Sequence, residues 1–142
     1  MDTKRPTAMP DVLRIHHVGI IVRDAEAAAE TYRAGLGLEV LALEDYRGEA
    51  KVALLSAGES LLHLIEPVAE DTIWAAALRD RGEGPHHVAF EVADINGAIA
   101  DLAAAGLRTL EPRPRRDAGS VFGIFLEPRG NTLIELVQVI RS

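Results

Sequence analysis

The chain has 142 residues, of which 48% are hydrophobic and 26% charged, the composition of an ordinary globular domain able to bury about two-thirds of its unfolded surface. Its net charge of -7 argues against a nucleic-acid partner, and the absence of cysteine excludes disulfides, thiolate metal sites and a Cys nucleophile. No apolar run reaches the ~20 residues of a membrane span, and residues 1–10 have no signal-type apolar core, so a cytoplasmic protein is expected.

The predicted elements run in order as follows. Residues 15–22 are β-branched and read as a strand. Asp24 stands at a helix N-cap, an Ala-rich helix follows over 25–34, and Gly35 and Gly37 end it. Strands are expected at about 39–43, 50–55 and 60–65, with a turn at Gly58. Residues 72–81 read as a linking helix that stops at Gly82-Glu83-Gly84-Pro85. A strand over 86–92 comes next, then the Asp94 cap, a helix over 95–105 and Gly106. The last strands are expected at about 108–110, 121–126 and 132–139, with a turn at Pro128-Arg129-Gly130-Asn131.

This order repeats. A shift of 70 residues lays His16 on His86, His17 on His87, Val18 on Val88 and Asp24 on Asp94. A shift of 72 lays Gly58 on Gly130, Leu61 on Leu133 and Leu64 on Leu136. The chain therefore reads as one domain over 1–142. Module one covers about 13–70, a linker helix about 71–84 and module two about 85–140. The fold class is α+β: two βαβββ modules, each a sheet with one face uncovered, pairing into a curved eight-stranded sheet around a cleft.

Strand alternation places His17 on the face opposite Val18, Ile20 and Val22. His63 opposes Leu62 and Leu64, His87 repeats His17, and Glu135 repeats His63 inside Leu-Ile-Glu-Leu-Val. A carboxylate in such a run is costly unless paired or bound to a cation. Each residue alone reads more easily as a packed or solvated strand position. Four of them at two repeat-related positions point to a divalent metal, one per chain, of the zinc, cobalt, nickel, manganese or iron type. His16 and His86 are expected on the other face. Trp74, Leu78 and Ile73 share a helical face and read as packing.

These residues resemble the vicinal oxygen chelate superfamily, the glyoxalase and dioxygenase fold of paired βαβββ modules, over about 13–139. Within it the chain is most similar to the methylmalonyl-CoA epimerase family. The stretches that carry this are Ile15-His16-His17-Val18-Gly19-Ile20, Leu64-Ile65-Glu66-Pro67, Leu133-Ile134-Glu135-Leu136 and, most specific, 81–92 with its Gly-Glu-Gly-Pro-His-His-Val. The resemblance implies metal ligation by His17, His87 and Glu135, with His63 where that family has Gln or Glu. It also implies a small-molecule substrate, possibly an acyl-CoA, an enolate stabilised by the metal, and a homodimer.

There are departures. Where the epimerases carry a Glu base in module one, this chain has Lys51, with Glu44 and Glu49 nearby. Glu135 and Lys51 are the candidate proton-transfer pair, Lys51 acting neutral as a base or charged as an anion holder. The competing readings are a glyoxalase-like lyase or another biosynthetic isomerase, and a non-enzymatic small-molecule binder of the resistance type. Arg79, Arg81 and the run Arg113-Pro114-Arg115-Arg116 could meet CoA phosphates, although a solvated loop is the simpler reading.

Overall fold

A computed structural model describes residues 11–128, 130 and 132–141. The elements are β1 (Val12–Ile21), α1 (Ala25–Leu36), β2 (Val40–Tyr46), β3 (Ala50–Ala57) and β4 (Ser60–Pro67), then α2 (Ile73–Arg81). After α2 come β5 (Gly84–Val92), α3 (Ile95–Ala104), β6 (Arg115–Asp117), β7 (Val121–Phe125) and β8 (Leu133–Val139). The strands form one curled sheet in the order β2-β3-β4-β1-β5-β8-β7-β6. The modules join edge to edge through the antiparallel β1–β5 pair, while β4 and β8 run parallel to β1 and β5.

The helices form where the sequence supplies caps. Asp24, Thr72 and Asp94 each accept a backbone N–H three residues on, from Ala27, Ala75 and Gly97. Gly37 closes α1 in a left-handed conformation, and its N–H donates to the Arg33 carbonyl. Ala25 and Ala29 of α1 pack on Val22, Ala53, Leu55 and Leu64, which cover the outer face of module one. Ile95 and Ala98 of α3 do the same for module two on Ile124, Leu126 and Leu136. The inner face gathers Ile21, Tyr46, Val52, Leu54, Ile65, Phe125 and Trp74, the last carried in by α2.

Two expectations change. The strand expected at about 108–110 is reduced to a single bridge, Thr109 to Leu126, and the edge strand is β6 at Arg115–Asp117. Residues 108–110 have no run of alternating apolar positions long enough to compete for the β7 edge. His16 and His86 do not point to the helix-covered face. Across β1–β5, Ile15 and His17 are opposed by Phe90 and Ala89, so His16 is an extra residue. Gly19 and Ile20 are opposed by His87 and Pro85, so His86 is extra on the other strand. These bulges break the period of two and bring both imidazoles beside their neighbours. The expected turn at 128–131 includes Arg129 and Asn131, which lie outside the described residues.

Candidate metal centre

His63, His17, His87 and Glu135 stand on β4, β1, β5 and β8, the four consecutive middle strands of the sheet. His17, Ala89 and Glu135 share one cross-strand row, and His63, Gly19 and His87 share the next. Alternation then turns all four side chains inward, and all four are buried.

His17 Nε2 lies 3.0 Å from His87 Nε2. Glu135 Oε1 is 3.2 Å from His17 Nε2 and 3.4 Å from His87 Nε2. The three ligand atoms fall within 4.8 Å of one another. The His63 ring stacks on His17 at 3.7 Å and 7°, so it joins the group through His17 and forms a second trio with His16 and His17. Among the described residues, Glu135 Oε1, His63 Nε2 and Arg115 Nη2 are buried with no hydrogen-bond partner. Such orphans are rare and point to an absent partner.

Electrostatics favours lone pairs over protons here. Burial first, then the neighbouring His16, holds His17 down to about 3. Burial, then His17, holds His63 and His87 well below the usual imidazole value. His17 Nδ1 meets His16 Nδ1 at 2.8 Å, and His87 Nδ1 meets His86 Nδ1 at 2.7 Å. One nitrogen of each pair must donate. With the protons on His17 and His87, both Nε2 lone pairs are left facing Glu135, the state a metal ligand requires. Three imidazoles and one carboxylate suit a divalent first-row metal, so the residues present fit such an ion.

Glycines make room for this centre. A Cβ on Gly19 would lie 2.2 Å from His87 Cε1 and 2.6 Å from its Nε2. A Cβ on Gly123 of β7 would lie 2.6 Å from Glu135 Oε2. Gly123 interrupts an apolar strand, and an isolated glycine in a strand is the sequence signal for close approach. Arg115, expected in a solvated loop or against CoA phosphates, and Asp117, which carried no expectation, instead alternate inward on β6 and are largely buried. Arg115 Nη1 donates to Asp117 Oδ2 at 3.0 Å and Glu135 Oε2 at 3.2 Å. Burial first, then Glu135 beside it, pushes the Asp117 carboxyl up to about 7 against the opposing Arg115 charge.

Lys51 is not in the centre. Ala50 and Val52 take the inward positions of β3, so Lys51 faces α1, half exposed, with Nζ 3.4 Å from Glu26 Oε1. The structure therefore does not bring Lys51 together with Glu135, the group it was expected to act with. Glu44, weighed beside it, does face inward and accepts the Gly119 N–H at 3.1 Å. Glu49 instead accepts the Trp74 Nε1–H at 3.1 Å. The space between His17, Tyr46, His63, Trp74, His87 and Asp117 is about 10 Å³, room for roughly one water or ion. Larger hollows of ≈ 440 and ≈ 560 Å³ lie elsewhere, beside Leu13 and Gln138 and at the start of α1.

Comparison with known proteins agrees with this architecture. Residues 16–125 match the family model described as Glyoxalase/Bleomycin resistance protein/Dioxygenase superfamily. The chain is 36% identical over 131 residues to the ethylmalonyl-CoA/methylmalonyl-CoA epimerase of Cereibacter sphaeroides, covering 89% of this chain and 98% of that one. It superposes on the crystal structure of methylmalonyl-CoA epimerase from Mycobacterium tuberculosis with a TM-score of 0.88 at 28% identity, covering 98% of this chain and 95% of that one. A Streptomyces coelicolor methylmalonyl-CoA epimerase variant in complex with 2-nitronate-propionyl-CoA gives 0.85 at 35% identity, covering 92% and 100%. The repeated βαβββ order, the inward histidines and glutamate on the four middle strands and these matches lead to one conclusion: the chain belongs to the glyoxalase/bleomycin resistance protein/dioxygenase superfamily.

Proposed function

We propose that this protein is a divalent-metal-dependent epimerase of 2-substituted malonyl thioesters, with an acyl-CoA such as methylmalonyl-CoA as substrate. The observation that carries the reading is the inward group of His17, His87 and Glu135, with the Glu135 Oε1 atom left without a partner. Relatives named as methylmalonyl-CoA epimerases support the substrate class. His17, His87 and Glu135 would hold the ion, and His63 would complete the set once its ring turns off His17. A divalent cation bound there supplies Lewis acidity toward two substrate oxygens, which lowers the cost of removing the proton between them.

The protein's own groups carry the proton. Inversion needs one group to take it from one face of the carbon and another to return it on the opposite face. Glu135 would be taken up by the ion through Oε1 and by Arg115 through Oε2, which leaves the module-two role to Asp117. Glu44 enters from the inner face of β2 in module one, where Lys51 does not reach. Asp117, held up to about 7 by burial and by Glu135, is the remaining carboxyl on the cavity wall. Trp74, Tyr46, Val52, Ile65 and Ala118 also line that cavity.

The test is elemental analysis of protein purified without chelator, followed by solvent-deuterium exchange at carbon 2 of methylmalonyl-CoA. About one metal per chain and metal-dependent exchange are expected. Metal without exchange would move the reading to a glyoxalase-like lyase. No metal after soaking with zinc, cobalt, nickel, manganese and iron would leave a small-molecule binder.

A further inference from the structure

We propose that Arg115 is a positioning residue that commits the two oxygens of Glu135 to different tasks, and that Gly123 is glycine to let it do so. The proposal rests on the metal-site reading above. Arg115 is nearly buried, and Nε and Nη1 of its guanidinium have fixed neighbours, while Nη2 is buried with no hydrogen-bond partner. Nε meets Glu111 Oε1 at 2.7 Å, Nη1 meets Asp117 Oδ2 at 3.0 Å and Glu135 Oε2 at 3.2 Å, and the plane lies 4.6 Å from the Phe125 ring centroid. Burial works against the charge, and Asp117 and Glu135 more than offset it, so the guanidinium stays charged.

The consequence falls on Glu135. Oε2 is tied to Arg115, whereas Oε1 faces His17 and His87 with no hydrogen bond of its own. A free carboxylate can offer either oxygen or both to a cation. This one has a single oxygen to offer, held in one direction by a group on another strand. Such outer contacts typically change metal affinity 10–100-fold when removed.

Gly123 is the spatial condition for the arrangement. It pairs with Arg115 on β6 and with Val137 on β8, in the gap between the two elements. A Cβ there would lie 2.6 Å from Glu135 Oε2, 3.0 Å from Arg115 Nη1 and 3.1 Å from Asp117 Oδ2. All three atoms of the contact lie closer to that one position than an ordinary methyl contact allows. Gly123 is not among the residues with positive φ, so space rather than backbone conformation requires the glycine.

The experiment is Co(II) titration followed by visible absorption, on wild type, Arg115→Lys, Gly123→Ala and the control Arg116→Ala. Arg116 is exposed and lies against Phe122, away from the centre. Arg115→Lys keeps the charge but cannot span Glu111, Asp117 and Glu135 together. Both test variants should bind Co(II) 10–100-fold more weakly with an altered spectrum, and Arg116→Ala should match wild type. Wild-type affinity and spectrum in folded Arg115→Lys or Gly123→Ala overturns the proposal. A structure of wild type loaded with Co(II) needs no variant: Glu135 should bind through Oε1 alone with the Arg115 contact kept, and both oxygens on the metal overturns the proposal even where the variants do not fold. Failure of wild type to bind Co(II) would instead sink the metal-site reading itself.

Discussion

Replacing Gly19 with alanine tests the centre with a single methyl group. The added Cβ would lie 2.2, 2.6 and 2.7 Å from Cε1, Nε2 and Nδ1 of His87. Carbon contacts settle near ~3.5–4.0 Å, so the ring must move by about 1 Å or more. It has little freedom to do so. Its Nδ1 meets His86 Nδ1 at 2.7 Å, and Phe125 packs edge-on at 5.2 Å. Nor can the backbone retreat, because β1 is hydrogen-bonded on both sides, to β4 and β5. Overpacking of this kind costs about 1–3 kcal/mol, or on the order of 3–9 °C in Tm for a domain of this size. The same displacement moves Nε2 from its place beside His17 and Glu135, so metal affinity should fall at least ~10-fold. Thermal unfolding of chelated protein and isothermal titration with Zn(II) measure the two effects separately. Gly35→Ala is the internal control: it lies within α1, has no atom within 4 Å of the added Cβ, and should raise stability by about 0.5–1 kcal/mol. Gly19→Ala that binds Zn(II) as wild type does and keeps its Tm would refute the packing argument.

Four further outcomes are expected. His63→Ala should weaken metal binding by more than the ~10–100-fold typical of outer contacts, whereas His63→Gln should retain most of it; equal loss in both would remove His63 from the ligand set. Lys51→Ala should leave metal content and exchange unchanged and cost under ~1 kcal/mol, since its ion pair with Glu26 is solvated; a large drop in exchange would restore its catalytic role. Glu44→Gln should abolish stereochemical inversion and leave metal stoichiometry at the wild-type value, as read by mass spectrometry and chiral analysis of product. The chelated protein should lose stability as pH falls from 7 to 5. His86 is held down to about 4 by burial, then Arg81, so the unfolded chain binds more protons across the window from 6.5 to about 4. By pH 5 this single group removes roughly 2 kcal/mol, and flat urea midpoints over that range would contradict it.

The repeat, the helix caps, the apolar faces and the inward parity of His17, His63, His87 and Glu135 are all local properties. Alternation and capping depend on residues one to four positions apart, and a single sequence carries them in full. Long-range pairing determined the rest. The His16 and His86 bulges exist only because β1 and β5 meet across 70 residues, and a bulge leaves no mark on hydrophobic alternation until its partner strand is present. Lys51 was assigned by analogy with a relative's carboxylate, while its own period of two, read from Ala50 and Val52, turned it toward α1. Arg115 and Asp117 sit in a polar run that reads equally well as loop; only the β7 edge gave it a strand's alternation and folded it over Glu135. Gly19 and Gly123 are explained by atoms contributed from other strands. The sequence by itself determined which residues could ligate a metal and which face they share. The tertiary structure decided how close they come, which oxygen of Glu135 is left free and which neighbours hold each ring, because those are distances between strands far apart in the chain.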